Sequence, residues 1–96
     1  MTDQDTSDLT QDEQDLLLAA IQDKRGIVTR IDGVDRLEIS SNGRDFTPDG
    51  TPYERARWDT ALTKLHEKGL LQRRDDKGIV SGITGRGFEV AKSLGL

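Results

Sequence analysis

The chain has 96 residues, a formal net charge of −4, 32% hydrophobic residues and no cysteine. That length fits one domain with a small core. The missing cysteine excludes a disulfide framework and a thiolate metal site, and no apolar run approaches the ~18 residues of a membrane span. No signal-peptide pattern opens the chain, so a cytoplasmic protein is expected.

The net charge conceals an asymmetry. Residues 1–23 hold seven acids and neither lysine nor arginine, which leaves 14 basic against 11 of the 18 acidic side chains for residues 24–96. A basic binding face is therefore compatible with an acidic chain, although strong nonspecific attraction of the whole molecule to nucleic acid is not expected.

In chain order, residues 1–8 are polar, acidic and aperiodic, which predicts a disordered tail ahead of a single domain over 9–96. Thr10-Gln11-Asp12-Glu13 reads as a capping box, with Asp12 and Glu13 at the positive end of the helix dipole. The helix is expected to reach about Lys24, with Leu16, Leu17, Ala20 and Ile21 facing the core, Lys24 and Arg25 at its end and Gly26 beyond it. From Ile27 the hydrophobic period becomes two. Ile27, Thr29 and Ile31 alternate with Val28 and Arg30, Asp32-Gly33 predicts a turn, and Leu37 and Ile39 alternate with polar residues on the way back. Asn42-Gly43 marks a second turn, with a short third strand expected over Arg44–Thr47 and a loop over Pro48–Gly50.

The next helix, over 52–68, has both ends written into the sequence. Thr51 caps it, Pro52 sits at its first position and Glu54 can close a capping box. Trp58, Ala61, Leu62 and Leu65 share one apolar face, so the tryptophan reads as core rather than as an exposed stacking residue. Gly69 supplies the left-handed residue after the helix, which puts Leu65 and Leu70 in the contact of a Schellman ending. A hairpin follows over about 70–84, turning at Asp75-Asp76-Lys77-Gly78. Turn chemistry accounts for its paired aspartates better than cation binding does. Thr84 then caps a short last helix, with Ile83 and Phe88 at the positions of a hydrophobic staple and Val90, Ala91 and Leu94 continuing its apolar side.

The run Ala61-Leu62-x-x-Leu65-x-x-x-Gly69-Leu70-Leu71, followed by Ile83-Thr84-x-x-Gly87-x-x-x-Ala91, resembles the second half of a winged-helix domain of small bacterial regulators. The resemblance covers about residues 51–94 and implies an α+β domain ordered helix, β-meander, helix, hairpin wing, short helix. A β-hairpin stands where the family has its middle helix, which departs from standard major-groove docking. On helix 52–68, Tyr53, Arg57, Thr60 and Lys64 form a polar stripe with Lys68 beside it, while Asp59 and His66 fall on the far flank. Such a stripe suits phosphates and base edges, and Arg73, Arg74 and Lys77 on the wing suit backbone phosphates. His66, the sole histidine, reads as plain surface or as a complement to the helix dipole.

Two functions remain open. One is a regulatory module that binds or accompanies double-stranded DNA; the other is a protein-interaction module on the same scaffold, docking a partner or a second copy of itself, in a bacterial or phage defence setting. No nucleophile stands near a base, so an enzyme is not expected, and the sequence points to no cofactor.

Overall fold

Thr10 sets the first helix. In the computed structural model, which describes residues 9–34 and 36–95, the Thr10 hydroxyl accepts a hydrogen bond from the Glu13 backbone N–H, and α1 runs Gln11–Gln22. The acidic tail expected over residues 1–8 lies outside the described residues. The helix stops short of Lys24 because Asp23 turns its carboxylate onto the chain ahead, accepting from the backbone N–H groups of Arg25 (3.0 Å) and Ile27 (3.2 Å). A local side-chain turn of this kind competes with the next helical hydrogen bond. Gly26, at φ 66°, completes the reversal, so Lys24 and Arg25 lie beyond the helix rather than in its last turn.

The remaining elements are β1 (Ile27–Gly33), β2 (Arg36–Ser41), β3 (Arg44–Asp45), α2 (Pro52–Glu67), β4 (Leu71–Arg73), β5 (Val80–Ile83) and α3 (Gly85–Ser93). Among the described residues these make an α+β domain of three helices and one antiparallel sheet, with strand order β3-β2-β1-β5-β4. The last hairpin thus returns to the sheet beside β1.

The first hairpin does not turn at Asp32-Gly33. Both residues belong to β1, paired with Leu37 and Arg36. Side chains hold that register: Thr29 Oγ1 lies 2.8 Å from Ser40 Oγ, and Ser41 Oγ donates to the Ile27 carbonyl at 2.6 Å. β3 is shorter than the strand expected over Arg44–Thr47. Phe46 still reaches the Ile39 carbonyl, but Thr47 turns inward, donating both its N–H and its hydroxyl to the Asp45 carboxylate.

One face of the sheet carries the core. Val28, Leu37, Ile39, Leu71 and Ile83 are buried there against Leu16, Leu17 and Ala20 of α1 and Trp58, Ala61, Leu62 and Leu65 of α2. Phe46 stacks on Trp58 with ring centroids 4.8 Å apart at 53°, a tilted geometry that favours both rings beyond simple burial. The other face shows Ile27, Thr29, Ile31 and Val80 half-buried or exposed, with Ile31 50% accessible.

The α2 boundaries follow their sequence signals. Glu54 N–H donates to Thr51 Oγ1, while the Glu54 carboxylate reaches past the cap to accept from the N–H groups of Asp49 and Gly50. At the far end Gly69 N–H bonds the His66 carbonyl and Leu70 N–H bonds the Leu65 carbonyl, the two bonds of a Schellman ending, with Gly69 at φ 74°. Both leucines are fully buried. Thr84 caps α3 through Gly87 N–H and donates its own hydroxyl to the Gly69 carbonyl, tying the last helix to the end of α2. Gly87 permits that approach, since a Cβ there would run into the Leu70 carbonyl oxygen. Phe88 does not join the core: its ring remains 49% accessible.

Candidate nucleic-acid interface

The polar stripe of α2 faces α1. Arg57 lays its guanidinium in a fork on Asp12, with Nε and Nη2 at 2.7 and 2.8 Å from the two carboxylate oxygens, and also covers the Trp58 ring at 4.8 Å. This fork raises the arginine pKa above its ordinary value. Lys68 Nζ lies 2.7 Å from Glu13 Oε1, and Glu13 is buried at the base of α1. Lys64 pairs more loosely with Glu67 at 3.6 Å. Tyr53 and Thr60 stay exposed, Tyr53 strongly so at 77%. The structure therefore keeps the five stripe residues on one side of α2, but engages Arg57 and Lys68 with the first-turn acids of α1. The sequence marks those acids as dipole partners of their own helix; only the packing of α1 on α2 makes them partners of the stripe.

The β4–β5 hairpin divides its cations between its two faces. Arg73 stands opposite Ser81 across β4–β5, on the face turned to α2. Arg74, one residue on, lies over Gly82 on the opposite face, where a Cβ would collide with its guanidinium, and Nη2 reaches the Ile83 carbonyl at 3.5 Å. Lys77 sits in the connecting loop. Asp75 closes that loop by accepting from the N–H groups of Ile79 and Val80, which accounts for one of the two turn aspartates without a cation.

Arg73 and Lys77 meet the far flank of α2 across an open groove of about 430 Å³, which Thr63 and His66 also line. On its floor His66 Nε2 lies 2.8 Å from Ser81 Oγ, and Ser81 is 3% accessible. Burial, and then the charge of Arg73, hold the His66 pKa below its ordinary value, so the ring is neutral at pH 7. Toward β1 the groove ends at Arg30, which holds Asp59 through Nε (2.8 Å) and Nη2 (3.3 Å) and approaches Asp32 at 3.7 Å. Its bond to Asp59 raises the Arg30 pKa.

Of the residues singled out in the sequence, Arg73 and Lys77 come together here; Tyr53, Arg57 and Thr60 line the α1 side of α2, Lys68 reaches Glu13 of α1, Lys64 pairs with Glu67 within α2, and Arg74 lies on the outer face of the sheet. The groove also enlists His66, Thr63, Ser81 and Arg30, which sequence reasoning did not propose as ligands. A partial signal existed for Ser81, because strand alternation puts it on the same face as Arg73. None existed for the meeting of Ser81 with His66, which depends on how α2 lies on the hairpin.

Among the described residues, no group of three or more His, Asp and Glu side chains is placed to hold a metal ion, and no helix is long and apolar enough to cross a membrane. Comparison with protein-family models, with curated protein sequences and with solved structures gives no match in any of the three.

Proposed function

We propose that the chain is a winged-helix-like module that contacts double-stranded DNA through the groove between α2 and the β4–β5 hairpin. The observation that carries this reading is the convergence of Arg73 and Lys77 with the Thr63 and His66 side chains on one open, polar concavity. Cations on a hairpin beside a helix suit phosphate oxygens, and a helix flank rich in hydroxyl and imidazole groups suits the rest of the backbone. The α2 stripe contributes less than its sequence promises, because acids of this chain already occupy Arg57 and Lys68.

Binding of a mixed-sequence duplex, followed by fluorescence anisotropy over a range of salt, tests this. Each phosphate neutralised adds about 0.9 to the log–log salt slope. Replacing Arg73 and Lys77 together by alanine should flatten that slope by up to about two units, while Arg57→Ala should change it less. Absence of duplex binding by the wild-type chain at low salt refutes the reading.

A second reading is favoured by the outer face of the sheet, where Ile27 and Val80 are half-buried and Ile31 is exposed among the described residues. It makes the chain a protein-docking module, with a second copy of itself as the simplest partner. Molecular mass in solution decides between a monomer and that pairing.

A further inference from the structure

The floor of the groove holds a buried hydroxyl whose partner can change charge. Ser81 Oγ is bonded to His66 Nε2 at 2.8 Å and lines the same concavity as Arg73 and Lys77. We propose that Ser81, His66, Arg73 and Lys77 form a subsite for one backbone phosphate, and that the phosphate is taken up together with a proton on His66. The inference rests on the DNA-binding reading and adds to it a particular site and a pH dependence.

With neutral His66, the ring nitrogen and the serine oxygen share one proton between them, and either can donate it. Once the imidazole carries its second proton, both ring nitrogens are donors. Nε2–H then donates to Ser81 Oγ, the serine proton is released from the ring, and the hydroxyl turns to donate into the groove. An anion seated there gains a donor from Ser81, a charge from His66 and the fixed charges of Arg73 and Lys77. The proton comes from solvent and forms one N–H bond on the imidazole; no other covalent bond of the protein or the DNA is made or broken.

The groups that face His66 set the sign. From β4 comes Arg73, from the hairpin loop Lys77, from β5 the uncharged Ser81, from β1 Arg30, and from α2 itself Asp59; Asp32 touches the outer side of Arg30. Asp59 is held by Arg30, so cations outnumber carboxylates around the groove and oppose a further positive charge. That agrees with a histidine held neutral by burial and by Arg73. A phosphate supplies the missing negative charge and raises the His66 pKa in the complex. The added affinity is fully present below the free-state pKa and is lost as pH rises through the bound-state pKa.

His66 is the only histidine, so the untagged chain gives one imidazole signal. Its pKa is measured by NMR with and without a saturating mixed-sequence duplex, and duplex affinity is measured between about pH 8 and about pH 5.5 at constant salt. The expected result is a higher His66 pKa in the complex, with binding tighter at the acid end by up to about tenfold for each unit of that rise. His66→Gln, which keeps a polar side chain of related size, should bind with a flat pH profile, and Ser81→Ala should lose most of the acid-side gain. Duplex binding that leaves the wild-type His66 pKa unchanged overturns the subsite while the DNA-binding reading stands. No duplex binding at either pH in low salt removes both.

Discussion

Lys68 and Glu13 form an ion pair with unequal ends, which predicts an asymmetric pair of variants. The Glu13 side chain is 5% accessible and that of Lys68 21%, with Nζ and Oε1 2.7 Å apart. Removing one partner of a buried pair costs about 3–5 kcal/mol, because the other charge is left without compensation. Here the lysine side chain is partly accessible, so solvent can enter where its stem was. Lys68→Ala is therefore expected to cost about 2 kcal/mol, below that range, which corresponds to a fall of about 8–16 °C in Tm for a domain of this size. Glu13→Gln keeps the shape and leaves Lys68 an amide oxygen as acceptor, so it should cost under about 1 kcal/mol. The decisive variant is the double one. If the cost of Lys68→Ala is the stranded carboxylate, adding Glu13→Gln restores stability and the double variant melts above the single. Urea and thermal unfolding at neutral pH, with m values compared to confirm a common unfolded state, provide the measurement. A double variant less stable than Lys68→Ala would refute the reasoning and show that the lysine acts through its packing.

Two further outcomes follow from the core and the groove. Trp58→Ala removes a ring that is 4% accessible and stacked on Phe46, and should cost about 3–5 kcal/mol in urea unfolding; an unchanged midpoint would show that this pair does not anchor α2. The free chain should lose stability on acidification from about pH 6.5, because the unfolded histidine binds a proton before the folded His66, whose pKa is lowered, and the loss is complete once pH passes below the folded value. His66→Gln should remove this component of the pH profile, and a wild-type profile identical to that of the variant would rule it out.

Much of the fold is legible in the sequence because it is set locally. The ends of α2 depend on Thr51, Pro52, Glu54 and Gly69, all within a few residues of the backbone groups they satisfy, and the observed bonds are those the residue types dictate. Trp58, Leu62 and Leu65 read as core from helical spacing alone, and Leu37 and Ile39 take the buried face of β2 as alternation requires. Where local signals compete, the sequence misleads by a few residues: Asp23 ends α1 early by bonding forward, and β1 and β2, joined by the Thr29–Ser40 hydroxyl pair, stay paired through Gly33 and Arg36, so the turn lies beyond Asp32-Gly33.

The candidate site belongs to the other category. A helical wheel orders side chains around one axis but does not say which element covers which side of it. Only the packing of α1 against α2 brings Asp12 to Arg57 and Glu13 to Lys68, across 45 and 55 residues of chain. Only the lie of α2 on the hairpin brings His66 to Ser81 and opens the groove toward Arg73 and Lys77. The chain by itself thus determined where its helices begin and end and which residues are apolar enough to be buried. The tertiary structure decided which of its cations face one another's counter-ions and which face solvent, because charge pairing depends on distances in space that sequence spacing does not contain.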